Sequence, residues 1–321
     1  MEVFNAVESI GGLEQGTAVA IGNFDGIHLG HRDIFRTLVH RSRELNVKSL
    51  VYTFEPHPLK VLAPDRAPRL LNTPTEKVRL ISASNIDILV CVPFSVALAA
   101  CEAEDFVREV LVKQLHVKAI VVGYDYAFGR DRKGTGDFLI AQGEQHGFSV
   151  DVLQPLGADG MPYSSSRIRE LLDAGCVAKM PQLLGRHYTL AGTVVSGEKR
   201  GRTIGFPTAN LLTQKEQLPV SGIYAVIVRL DGVEYQGLVN LGRRPTFGPG
   251  EETIEVFLLD FKGDLYGKEL RLYFVARLRE EKFFDNTESL GAAINQDVAD
   301  GRRLLSGVKI IQYEEYLADL I

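Results

Sequence analysis

The sequence predicts an α/β domain built on a parallel sheet, followed by a smaller antiparallel β-barrel that closes with a C-terminal helix. Three observations lead there. A chain of 321 residues is about twice the usual domain length. Up to about Gly175, short apolar runs alternate with stretches of helical periodicity. Beyond about Pro181, β-branched and aromatic runs follow one another across glycine-rich turns.

In the first part, TAVAIG (17–22) reads as a strand. The helix that follows, in HLGHRDIFRTLVHRSREL, carries Ile34, Phe35, Leu38, Val39 and Leu45 on one face. KSLVYTF (48–54) is the next strand, TEKVRLISAS a helix and IDILVCV (86–92) a third strand. AEDFVREVLVKQLH places Phe106, Val107, Val110, Leu111 and Leu115 on one stripe. KAIVVG (118–123) and FSVDVL (148–153) are strands separated by a helix from Asp137 to His146. Strands alternating with helices make a parallel sheet covered on both faces.

In the second part, YTLAGTVVSG, GIYAVIVRL, VEYQGLVNLG, TIEVFLLDF and ELRLYFVARL read as strands. Asp231-Gly232 between two of them is a type I′ hairpin signal. The stretch from Thr287 to Ile321 reads as helical, with Leu290, Ile294, Val298, Leu304 and Leu305 as its apolar set. The boundary falls near residues 180–187, giving domains 1–183 and 184–321.

Composition narrows the function classes. Hydrophobic residues at 45 % and charged residues at 24 % give ample core for two folded domains and exclude a disordered chain. The net charge of −5 disfavours nonspecific nucleic-acid binding, which needs a basic face. Cys91, Cys101 and Cys176 have no paired spacing, so neither a disulfide framework nor a thiolate zinc site is expected. No basic segment followed by an apolar one marks the N-terminus for export, and the apolar run Ile88–Cys101 is short and broken by Pro93. The expectation is a soluble, cytoplasmic protein with small-molecule substrates and no nucleic-acid or membrane partner. Oligomeric state is left open.

Ligands of open α/β sheets bind beyond the carboxyl ends of the strands. After the first predicted strand comes Gly22-Asn23-Phe24-Asp25-Gly26-Ile27-His28-Leu29-Gly30-His31. Glycines allow close backbone approach, and the helix that begins here offers free N–H groups and the positive end of its dipole. His28 and His31, three residues apart, share a helix face and suit a phosphate whose charge grows during transfer. The same spacing fits an ordinary helix start or a metal pair. Phe54-Glu55-Pro56-His57-Pro58 follows the second strand, where two prolines fix an extended turn. Gly123-Tyr124-Asp125-Tyr126-Ala127-Phe128-Gly129 offers an acid among aromatics, for a planar ring or for the core. Ser164-Ser165-Ser166-Arg167-Ile168-Arg169 opens a helix, either as a plain N-cap or as a polyphosphate seat.

Together, these four segments resemble the FMN adenylyltransferase module of bacterial bifunctional riboflavin kinase/FAD synthetases, of the nucleotidyltransferase superfamily with a His-x-Gly-His motif. The resemblance implies a Rossmann-like domain in which His28 and His31 stabilise transfer at the α-phosphorus of ATP. Asn23, Ser165 and Arg169 would hold the triphosphate, and Asp125 and His57 would place the flavin. Tyr126 and Ser166 depart from the frequent phenylalanine and threonine.

The second part has its own motifs. Glycines recur through Gly192–Gly205 with Lys199, Arg200 and Arg202, a loop that suits phosphates or a solvated turn and meets neither Walker A nor Rossmann spacing. In Pro207-Thr208-Ala209-Asn210, Thr208 and Asn210 alternate on an extended chain, so their oxygens share a side and suit Mg²⁺ or a turn cap. Glu255 stands in the middle of an apolar strand and must face water or a ligand, where it could serve as a general base. These segments, with Asn240-x-Gly-x-x-Pro-Thr-Phe247, resemble the riboflavin kinase module of the same enzymes. That resemblance implies a Greek-key barrel in which Thr208 and Asn210 bind Mg²⁺-ATP with Gly197, Lys199, Gly201 and Arg202 in the ATP loop. Glu255 would deprotonate the ribityl 5′-hydroxyl, and Phe257 replaces a frequent histidine.

The implied reactions are riboflavin + ATP → FMN + ADP and FMN + ATP → FAD + pyrophosphate. Rival readings are an adenylyltransferase with an inert kinase half, a noncatalytic flavin or nucleotide sensor and, more weakly, a His-x-Gly-His protein of the tRNA synthetase type, which the acidic net charge opposes. Intact Thr208, Asn210 and Glu255 oppose the first, and retention of both His28 and His31 opposes the second.

Overall fold

A computed structural model describes residues 1–158, 160–196, 206–244 and 251–312. The chain divides into two compact units that part between Ser165 and Ser166.

The first unit is a six-stranded sheet with order β1-β4-β3-β2-β5-β6. Its strands are β1 (Glu2–Phe4), β2 (Thr17–Ile21), β3 (Lys48–Glu55), β4 (Ile88–Pro93), β5 (Val117–Gly123) and β6 (Ser149–Leu153), and every pairing is parallel. Unbroken apolar runs in β2, β3 and β5 are buried along their length, as a sheet covered on both faces requires. Polar groups inside those strands are hydrogen-bonded: Thr17 Oγ1 donates to Leu115 O at 2.6 Å, and Ser49 Oγ to Asp87 at 2.7 Å.

Helix α1 (Leu29–Leu45) buries Ile34, Phe35 and Leu38, and Asn46 ends it in the left-handed conformation at φ 52°. Helix α2 (Pro58–Leu62) follows β3. Helix α3 (Pro74–Ser82) starts with Thr73 and Glu76 capping each other's backbone N–H and a proline in the first turn. Helix α4 (Gly136–His146) precedes β6. The predicted 103–116 helix is π-helical over Phe106–Gln114, while Phe106, Val107 and Leu111 still reach the core. Strand β1 was not legible, because three exposed or half-exposed residues carry no period. A short ribbon, β7 (Gly157–Ala158) with β8 (Met161–Pro162), closes this part.

The second unit begins with helix α5 (Ser165–Asp173) from Ser166 onward. Leu172 O accepts from Val220 N at 3.0 Å, and Gln217 Nε2 donates to Asp173 at 2.9 Å. Six antiparallel strands then close a barrel in the order β10-β13-β12-β11-β14-β9. They are β9 (Tyr188–Val195), β10 (Ala209–Leu212), β11 (Gly222–Leu230), β12 (Val233–Arg244), β13 (Glu251–Leu258) and β14 (Glu269–Arg279). Asp231 and Gly232 both have positive φ, 48° and 84°, the signature of the type I′ hairpin.

Helix α6 (Thr287–Leu305) lies on the barrel, with Leu305 in a cluster with Ala225, Ile227 and Tyr273. Arg279 on β14 grips Asp297 on α6 through two hydrogen bonds, 2.8 and 2.7 Å. The predicted helix runs too far: it stops at Leu305, because Ser306 turns extended and Gly307 adopts φ 74°. The chain then returns along the barrel, with Ile310 in the same cluster and Ile311 N donating to His187 Nδ1 at 3.0 Å. Residues 313–321 of that predicted helix lie outside the described residues.

Removing Asp297 takes two hydrogen bonds from the partly buried Arg279 guanidinium and leaves its charge poorly compensated. Asp297→Ala is expected to cost the second unit about 3 kcal/mol in urea denaturation, against about 1 kcal/mol or less for Asp300→Ala, whose pair with Arg303 is exposed.

Candidate functional site

The sheet order makes a crevice where the connections diverge, at the carboxyl ends of neighbouring β2 and β5. The loop after β2 fills it. Phe24 and Ile27 both hold positive φ, 47° and 40°, a costly conformation for such side chains that the surroundings must impose. Part of what imposes it is Asp25. Its buried carboxylate accepts from Leu71 N at 3.0 and 3.2 Å and from Asn72 N at 3.3 Å, tying the loop to the start of α3. Thr53 Oγ1 donates to Asn23 O at 3.3 Å, and Ser165 Oγ to Asp25 O at 2.8 Å.

This loop delivers His28 as the N-cap of α1. Its Nδ1 accepts from His31 N at 3.3 Å, so a neutral His28 carries its proton on Nε2. The two imidazoles stack with centroids 3.7 Å apart and 20° between planes, and Phe24 meets His31 edge-on at 5.3 Å. A Cβ on Gly30 would lie 3.1 Å from His28 Nδ1, so only glycine leaves the ring this seat without displacement. Burial, then the neighbouring His28 and then Lys77 push the His31 pKa well below its ordinary value. Its Nδ1 is buried without a hydrogen-bond partner among the described residues. A neutral donor pair at a helix N-terminus can hold a phosphate oxygen without a full charge of its own.

His57 stands beside them: its Nδ1 accepts from Leu59 N at 3.2 Å, and its Nε2 lies 3.4 Å from Asn23 Nδ2. The preceding Glu55–Pro56 bond is cis. Asp125 is exposed at the end of β5, its carboxylate folded over Gly123. Its aromatic neighbours divide. Tyr124 is 52 % exposed, whereas Tyr126 and Phe128 stack on each other and pack on the core. Ser165 opens α5, and half-buried Arg169 stands one turn further along that helix.

The sequence reading passed over Lys77. It is buried on α3, with Nζ 3.5 Å from Phe54 O and 3.9 Å from the Glu55 carboxylate, which puts a cation beneath the loop that carries His57. A capped helix start with lysine on its apolar face was the available signal.

In the barrel, period two sorts the side chains. Ala209, Leu211, Val239, Leu241, Ile254 and Val256 are buried inside. Asn210, Asn240 and Glu255 alternate with them and share the opposite, half-buried face. The register sets Asn210 directly opposite Glu255 across β10–β13, and Asn240 directly opposite Glu255 across β12–β13. Thr208, two residues before Asn210, is half-buried on the same side of the chain. Phe257 meets Phe206 edge-on at 5.8 Å, so the ring at this position braces the turn into Pro207-Thr208. The Glu281 carboxylate stands 2.8 Å from where a Cβ on Gly242 would be, and glycine makes room for it. Gly197, Lys199, Gly201 and Arg202, with Arg200, Pro245, Thr246 and Phe247, lie outside the described residues.

Comparison with known proteins follows the same division. The FAD synthetase family model matches residues 12–167, and the riboflavin kinase model matches residues 184–305. The bifunctional riboflavin kinase/FMN adenylyltransferase of Pseudomonas fluorescens is 39 % identical over 305 residues, covering 95 % of this chain and 98 % of that protein. The enzyme of the same description from Escherichia coli K12 is 37 % identical over 299 residues, covering 92 % and 95 %. A crystal structure described as a macrolide-efflux protein from Streptococcus pneumoniae superposes with a TM-score of 0.84 at 31 % identity, covering 94 % of this chain and 98 % of that one. In the present chain, no helix among the described residues is long and apolar enough to cross a membrane.

The depressed pKa of His31 has a measurable consequence. Below its ordinary value of 6.5 the unfolded chain binds the proton that folded His31 refuses, so this stability is present above that pH and lost as pH falls. Between pH 7 and pH 5 the urea midpoint of the first unit should fall, and His31→Gln should make that fall smaller.

Proposed function

We propose a division of chemical labour among named residues of this chain, which belongs to the family of bifunctional riboflavin kinase/FMN adenylyltransferases. It makes FMN from riboflavin and ATP, and FAD with pyrophosphate from FMN and ATP. Residues 1–183 form the adenylyltransferase module and residues 184–321 the kinase module.

In the adenylyltransferase module a phosphate oxygen of FMN attacks the α-phosphorus of ATP, and the bond to pyrophosphate breaks. His28 donates from Nε2 to a non-bridging oxygen as charge grows there, and stacked, neutral His31 supports it from the same helix end. Asn23, Ser165 and Arg169 hold the triphosphate, while Asp125 and His57 orient the flavin. The observation that carries this reading is the stacked pair at the N-terminus of α1, above the crevice between β2 and β5.

In the kinase module Glu255 takes the proton of the ribityl 5′-hydroxyl, whose oxygen attacks the γ-phosphorus while the bond to ADP breaks. Gly197, Lys199, Gly201 and Arg202 hold the phosphates. Among the described residues no cluster of three or more His, Cys, Asp or Glu could hold a metal. The neutral oxygens of Thr208 and Asn210 fit Mg²⁺, which completes its shell with waters and phosphates. Bound there, Mg²⁺ neutralises phosphate charge. The three cysteines, none in a disulfide, support a reducing, cytoplasmic setting.

The test is a chromatographic time course separating riboflavin, FMN and FAD. His28→Ala should slow FMN→FAD by about 10²–10⁴-fold and leave riboflavin→FMN unchanged. Glu255→Gln should do the reverse, by about 10²-fold or more. Equal loss of both activities in either variant would overturn the assignment.

A further inference from the structure

The row that centres on Glu255 has a member without a role. Asn240 faces Glu255 from β12 just as Asn210 faces it from β10, and the three side chains leave the same face of the barrel. Neighbouring strands are about 4.8 Å apart, so the row spans roughly 10 Å from one amide to the other with the carboxylate midway. The Oδ1 of Asn240 is buried and has no hydrogen-bond partner among the described residues. A buried amide oxygen left unsatisfied costs roughly 1–3 kcal/mol, a cost ordinarily removed by a donor that arrives with a ligand.

The order of the row determines which ligand. In the proposed arrangement Asn210 and Thr208, on the β10 side, make the phosphate side of Glu255. An alcohol that loses its proton to Glu255 while attacking a phosphorus on that side must approach from the other, because nucleophile and leaving group lie in line. That is the side of Asn240. The acceptor is a polyol, whose carbons next to the nucleophile carry further hydroxyls, each a donor for an amide oxygen.

We propose that Asn240 is a specificity-determining residue of the kinase reaction: its Oδ1 accepts a hydrogen bond from the 4′-hydroxyl of the ribityl chain and so aims the 5′-hydroxyl at Glu255. The inference deepens the proposed role of Glu255 and rests on it. Asn240 accepts a hydrogen bond and transfers no proton. Its contribution is therefore to binding and alignment of one substrate.

The test pairs a protein change with a substrate change. Native protein and Asn240→Ala are assayed with riboflavin and with 4′-deoxyriboflavin, and FMN→FAD in the same preparations reports folding. Native protein should lose about tenfold or more in kcat/KM on the deoxy substrate, the scale of one unpaired buried polar group. Asn240→Ala should lose a similar factor on riboflavin, no longer distinguish the two substrates, and keep KM for ATP within about twofold. Asn240→Asp, which keeps an acceptor oxygen, should retain discrimination. Should Asn240→Ala still prefer riboflavin by the native factor, or weaken ATP as much as riboflavin, the proposal is overturned. Glu255→Gln separates the premise: full kinase activity in that variant removes the base, whereas loss of activity there with unaltered discrimination in Asn240→Ala removes only the role of Asn240.

Discussion

A strand buried on both faces cannot carry unsatisfied polar side chains along its length. That constraint fixes where this protein can do chemistry. In the first unit the buried stretches of β2, β3 and β5 are apolar or internally hydrogen-bonded, so the candidate reactive groups are displaced to the loops at their carboxyl ends. In the second unit the barrel interior takes every other residue, and polar groups are confined to the alternate face. Two different architectures thus place their polar residues by the same rule, at the edge of what they bury.

What remains is alignment, and each unit achieves it differently. Around α1 alignment comes from the backbone: a strained turn is held by the Asp25 carboxylate on two successive N–H groups, and a missing Cβ at Gly30 admits an imidazole. On the barrel it comes from register, because ladder pairing sets three side chains opposite one another across three strands. A one-residue slip of β13 would turn Glu255 to the interior and away from both asparagines, so the stability of the barrel and the placement of Glu255 are inseparable.

Much of this was legible in the sequence. Strong periodicities located most strands and helices to within a few residues, and the Asp231-Gly232 turn followed from its chemistry alone. Three of the four loop motifs follow strands of the sheet, after β2, β3 and β5, whereas Ser164–Arg169 opens α5 behind the short β7–β8 ribbon. What escaped was what depends on tertiary company. Strand β1 is too short to show a period, and the π-helical winding of Phe106–Gln114 preserves the same apolar stripe as an α-helix. Gly307 ended a helix whose apolar pattern seemed to continue, because Ile310 packs on the same cluster from an extended segment. Asp25 read as part of a phosphate loop but acts as its brace. The partnerless Oδ1 of Asn240 has no signature outside three dimensions, and Lys77 shows in the sequence only as a lysine on the apolar face of a capped helix.

The stacking of His28 on His31 also bears on transition-metal poisoning. Histidines three residues apart on a helix often capture nickel or zinc, because two lone pairs converge on one ion. Here the single in-plane lone pair of neutral His28, on Nδ1, already accepts from the His31 backbone N–H, and the near-parallel ring planes are stacked 3.7 Å apart. To chelate an ion the rings would have to unstack and break the helix cap. The stacked, helix-capping pair is thereby a poor chelator, and traces of nickel or zinc have little hold on it.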